Sequence, residues 1–109
     1  MRVLLDTNVL LDYLIKREPY YENSRKIMDL CSSDKVTVCM AAHSVMNIFY
    51  ILRKEYSLEE RRIMLLRLCK VIEIEGIEHD KIINALNRPD FSDVEDCLQD
   101  ECASAFGAQ

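Results

Sequence analysis

The first residue placed to do chemistry is Asp6. It ends a short apolar run, Val3-Leu4-Leu5, and only Thr7 and Asn8 separate it from a second apolar run in "LLDTNVLLDYL". Ligands of an open parallel sheet bind beyond the carboxyl ends of its strands, so a carboxylate at this position can face a crevice. The competing role is that of a helix N-cap, which Asp, Thr and Asn all fill. A second group of acids, Asp93, Glu95, Asp96, Asp100 and Glu101, surrounds the start of the last apolar segment, "DVEDCLQDECASAFG". Acids there complement a helix dipole, which is reason enough for Asp93, while Asp100 and Glu101 read as a solvated face. Asp96 stands one residue before the inward-reading Cys97 and three after Asp93, and can point along the rim of a sheet.

The net charge of −5 limits what these acids can serve. Nucleic-acid binding by bulk electrostatics calls for a basic surface. A chain this acidic would need something else to offset phosphates, and a divalent cation held by clustered carboxylates could do so. The basic residues come in pairs, Lys16-Arg17, Arg53-Lys54 and Arg61-Arg62, with Arg67 and Lys70 beyond. They read first as solvated helix faces and second as a rim for RNA phosphates. Tyr50 and Tyr56 flank one such pair in "YILRKEY", with Tyr50 read as core. The five cysteines are odd in number, lie mostly within apolar runs and include no CxxC, the pattern of reduced, buried thiols. Neither His43 nor His79 stands at zinc-ligand spacing to a cysteine.

The elements that must position Asp6 and Asp96 follow from periodicity. With 109 residues, half of them hydrophobic, the chain is expected to form one globular domain over residues 1–109. No apolar stretch is long enough to span a membrane, and the N-terminus does not resemble a secretory signal, so a cytoplasmic protein is expected. Residues 2–5 read as a buried strand and "TNVLLDYLIK" as a helix, broken by Pro19. A helix over 20–32 and a strand over 35–40 follow. The helix over 41–56 carries Ala42, Val45, Met46, Phe49, Ile51 and Leu52 on its apolar face. Ser57 and Glu60 form a capping box for a helix over 57–70. A strand over 71–75, a helix over 78–87, a Pro89 loop and a helix over 93–107 complete the order. In the last helix Val94, Cys97, Leu98, Cys102, Ala105 and Phe106 read as inward. Strands separated by helices imply an α/β fold, a parallel sheet with helices on both faces.

Three segments together resemble the PIN-domain nucleases: "VLLDTNVLLDYL" their opening motif, "AAHSVMNIFYILRK" their second and "DVEDCLQDECASAFGA" their third. The resemblance runs the length of the chain. It implies a three-layer sandwich around a parallel sheet and a metal-dependent endoribonuclease, commonly the toxin of a bacterial toxin–antitoxin pair, with an antitoxin protein as partner. It further implies Mg²⁺ or Mn²⁺ as cofactor, hard cations that prefer oxygen ligands. By this resemblance Asp6 is the first ligand and Asp96 the third acidic position. Asp93 and Glu95 are supporting acids, and Thr7 and Asn8 orient Asp6 and hold water or phosphate. The sequence departs from the family pattern twice. Asn47 matches the position of the second motif's usual acid, supplying an amide oxygen without a charge, and neither His43 nor Glu55 stands at the spacing of a substitute. The family's further C-terminal strand would begin where the sequence reads "GAQ". A fold short of that strand would expose Val3-Leu4-Leu5 as a sheet edge, and a homo-oligomer is expected. Both departures also suit a weakened PIN-like domain that binds protein or RNA without cleaving. A receiver-like signalling domain would instead pair acids at the end of the first strand and place a lysine on a late strand, and neither is present.

Overall fold

The computed structural model describes residues 1–33 and 36–108. Lys35, where the second strand is expected to begin, and the terminal Gln109 lie outside the described residues. The elements are β1 (Arg2–Leu4), α1 (Thr7–Leu14), α2 (Tyr21–Cys31), β2 (Thr37–Ala41), α3 (Ala42–Ile51) with a 3₁₀ turn (Leu52–Lys54), α4 (Leu58–Leu68), β3 (Glu73–Glu75), α5 (His79–Leu86) and α6 (Val94–Phe106). The three strands form a parallel sheet in the order β1-β2-β3, with Val3 opposite Val38 and Met40 opposite Ile74. The expected α/β architecture, a parallel sheet flanked by helices, is present.

The central strand explains the layering. Val38, Cys39, Met40 and Ala41 are all buried, as befits a parallel strand covered on both faces. Successive side chains of a strand point to opposite faces. Val38 and Met40 join Leu10 and Leu11 of α1, Met28 of α2, Ile48 of α3 and Leu65 and Leu68 of α4 in one apolar cluster. On the other face α6 packs along all three strands, burying Cys97, Cys102 and Phe106. The Arg2 guanidinium fixes the far end of α6, donating to the Phe106 carbonyl at 2.8 Å and lying over its ring.

Local chemistry fixes the ends of the elements. Ser57 and Glu60 form the expected capping box: the Ser57 hydroxyl accepts from the Glu60 amide at 3.1 Å, and the Ser57 amide donates to the Glu60 carboxylate at 3.0 Å. Gly107, at φ 74°, ends α6 in the left-handed conformation that glycine adopts without steric cost. The Lys81 ammonium ties α5 to the end of β3, donating to Glu75 at 3.0 Å, to Glu78 at 2.9 Å and to the Gly76 carbonyl. Arg88, after α5, grips Glu101 and Asp100 of α6.

Several sequence expectations are corrected. The third strand spans only Glu73–Glu75, because Val71 follows the last turn of α4 at its exposed rim. The inner stripe of α3 is Ser44 and Ile48, four residues apart, whereas Met46 and Ile51 face outward. Tyr50, read as core, is 61 % exposed. In α6, Val94 and Ala105 are exposed, since the buried stripe runs through Cys97, Cys102 and Phe106. Cys69 is exposed and Cys31 half-buried, so thiol burial holds fully only for Cys39, Cys97 and Cys102; all five cysteines are free.

Candidate active site

The turns after β1 and β2 are short, so α1 and α3 both start at the carboxyl rim of the sheet. Asp6 has the extended backbone of an N-cap, φ −74° and ψ 153°, yet its carboxylate makes no capping hydrogen bond. The side chain is therefore not spent on the helix it precedes. Asp93 behaves in the opposite way. It caps α6, its carboxylate accepting from the Glu95 amide at 2.8 Å.

Asp6, Thr7 and Asn8 line an open pocket of about 440 Å³. Its far wall comes from α3, through His43, Asn47, Tyr50 and Ile51, and from the first turns of α6, through Glu95, Asp96 and Gln99. The sequence-predicted residues Asp6, Asn47, Glu95, Asp96, Thr7 and Asn8 thus come together from the starts of α1 and α6 and the middle of α3. Asp93 does not line the pocket and serves as the cap. The side-chain amide of Asn47 donates to Glu95 over a long 3.4 Å contact, joining α3 to α6 across the opening.

The Thr7 hydroxyl donates to the buried Ser44 hydroxyl at 2.9 Å. This bond fixes the start of α1 against α3, and it occupies the hydroxyl that the sequence assigned to orienting Asp6. Sequence reasoning missed Ser44. Its signal was a serine four residues before Ile48 on the same helical stripe, where a buried hydroxyl needs a partner. His43 was set aside on spacing, but it lines the pocket, and its buried Nδ1 has no hydrogen-bond partner among the described residues.

Carboxylates and an amide oxygen at one crevice are hard-oxygen donors for Mg²⁺ or Mn²⁺. Among the described residues no group of three or more His, Cys, Asp or Glu side chains converges tightly enough to hold an ion unaided.

The sequence matches the PIN-domain family model over residues 2–109. The chain belongs to the PIN-domain family. A search of curated proteins found no match. Among solved structures, this PIN domain is similar to a chain in the crystal structure of VapBC2 from Rickettsia felis bound to a DNA fragment from their promoter. The TM-score is 0.68 at 17 % identity, over 99 % of this chain and 84 % of that one. At that identity the likeness speaks for the fold, and it agrees with the parallel sheet and flanking helices of this PIN domain. Among the described residues no helix is long and apolar enough to cross a membrane.

Proposed function

We propose that this PIN domain is a divalent-metal-dependent endoribonuclease, acting in the cytoplasm as the toxin of a toxin–antitoxin pair. The observation that carries the reading is the Asp6 carboxylate, free of any capping role, in one pocket with Glu95 and Asp96. In this reading Asp6 and Asp96 hold Mg²⁺ or Mn²⁺, and Asn47 contributes its amide oxygen while its nitrogen restrains Glu95. A cation bound there offsets phosphate charge and lowers the pKa of its bound water. Asn8 and Thr7 line the approach, with Thr7 held by Ser44. The VapBC2 assembly supports a cognate antitoxin as protein partner.

The test is cleavage of single-stranded RNA by the purified chain with Mn²⁺, with Mg²⁺ and with chelator. Internal cleavage that requires the metal is the expected result. The amide at position 47 favours a second reading, a PIN-like domain that binds RNA without cutting it. RNA retained intact on the protein in the presence of either metal would select that reading.

A further inference from the structure

Tyr50 is an aromatic side chain of α3 that is 61 % exposed and lines the same pocket as Asp6 and Asp96. A large aromatic ring left open to water at a carboxylate pocket is not explained by packing. Its orientation is fixed from one side. The Arg53 guanidinium lies over the ring at 3.6 Å from its centroid and donates to the Tyr50 carbonyl at 2.8 Å. Two ties hold the arginine where it stacks, so the ring is presented as a braced platform. Met46, one turn earlier on α3, is 69 % exposed and adds apolar surface beside it.

We propose that Tyr50, braced by Arg53, is the base-stacking subsite of this nuclease and holds an unpaired nucleotide next to the scissile phosphate. The proposal rests on the ribonuclease reading above and adds to it a substrate form, single-stranded RNA with a splayed base. Three observations favour a nucleotide as the occupant. The platform lines the same pocket as the carboxylates, which puts a stacked base beside a phosphate bound there. Arg53 brings a positive charge to the rim of a chain with net charge −5, where phosphates on either side of the reacting one need it. A guanidinium on one face of an aromatic ring with a base on the other is a stack that tolerates every base. Stacking of one base on an aromatic side chain is worth about 1–3 kcal/mol, which corresponds to roughly 5- to 150-fold in affinity.

The experiment is steady-state cleavage of a short single-stranded RNA with Mn²⁺ by the full chain and by Tyr50→Ala, Tyr50→Phe and Arg53→Gln. Tyr50→Ala should raise KM by roughly 5- to 150-fold with kcat much less affected, because uniform binding is lost. Tyr50→Phe keeps the ring and should stay within about twofold of wild type. Arg53→Gln should fall between them. Once the cleavage position is mapped, an abasic nucleotide placed beside it should weaken the wild type and leave Tyr50→Ala unchanged. A Tyr50→Ala enzyme with wild-type KM, or an abasic penalty equal in both enzymes, overturns the subsite while leaving the ribonuclease reading in place. Dissociation of a dimer by Tyr50→Ala with unchanged kinetics assigns this face to a second copy of the chain and also overturns it. A wild type that cuts no RNA with either metal removes the ribonuclease reading itself, and the subsite with it. Tyr50→Ala changes an exposed side chain, and its unfolding midpoint should match wild type.

Discussion

Asn47 of α3 donates its side-chain amide to Glu95 of α6 at 3.4 Å, so an uncharged group and a carboxylate join these two helices at the pocket. The charge that a second-motif acid would bring is absent from α3, and Glu95 supplies a carboxylate from the neighbouring α6.

This arrangement gives Asn47→Glu two opposed effects. Without metal, two carboxylates face each other and repel, so stability should fall by a few tenths to about 1 kcal/mol. With Mn²⁺ the added charge should tighten binding by about one to two powers of ten, since charge-assisted contacts are roughly twice as strong as neutral ones. The gain should vanish when Asp6→Asn is added, because in the proposed site both groups serve one ion. Calorimetric titration of Mn²⁺ into the single and double variants reads this directly. Equal affinity in wild type and Asn47→Glu would remove Asn47 from the metal shell.

Much of this was legible in the sequence because the signals were local. The strand ending at Asp6, the Ser57–Glu60 box and the helix start at Asp93 depend on a few neighbouring residues, and all three appear in the fold. What was not legible depended on where a helix faces. In α3 apolar and small residues lie on every face, so periodicity could not decide between a stripe through Ser44 and Ile48 and one through Met46 and Ile51. Tyr50 was misplaced for the same reason. Its exposure comes from the position of the pocket, a tertiary fact, and from Arg53, whose stacking only the folded chain makes. The role of Thr7 was also hidden, because its partner Ser44 is distant in sequence.

Lys81 predicts a pH-dependent contribution to stability. Burial alone would lower its pKa, but the carboxylates of Glu78 and Glu75 outweigh that and raise it above the ordinary 10.5. A raised pKa in the folded state means that the protonated form stabilises the fold. The contribution is complete below pH 10.5 and is lost as pH climbs through the raised value. Lys81→Met should cost about 1–3 kcal/mol at neutral pH, since Glu75 is left half-buried without its partner. Urea unfolding of both proteins should show that difference at pH 7 and a narrowing gap above pH 10.5. A gap independent of pH would mean that Lys81 acts through its packing alone.

Thiol reactivity should report the packing of α6 on the sheet. Burial pushes the Cys39 thiol up to about 11, with Glu75 adding to it, and burial also raises Cys102 and Cys31. The thiolate is the reactive form, so the exposed Cys69 should react first with an aromatic disulfide reagent at pH 8. Cys39 and Cys102 should react only on unfolding. Mass mapping of the first labelled site checks this, and early labelling of Cys102 would contradict the packing of α6.

The edge of the sheet at β1 predicts association. Among the described residues β1 pairs only with β2, and Val3 and Leu4 are half-buried, whereas Leu5, expected at the exposed edge, is buried in the core. An open strand edge invites pairing with another chain. Light scattering at high micromolar concentration should give a dimer or larger species, and Leu4→Lys should shift it toward monomer. A monomer at all concentrations would contradict the prediction.

The proposed nuclease site turns on the Asp6 carboxylate as a ligand of the metal. The most direct measurement is the Mn²⁺-dependent RNA cleavage rate of Asp6→Asn beside wild type, with the unfolding midpoint of both. Asparagine is nearly isosteric and Asp6 makes no capping bond, so the fold should be unchanged. The expected result is a loss of at least about a hundredfold in rate at equal stability. Cleavage by Asp6→Asn at the wild-type rate would contradict it.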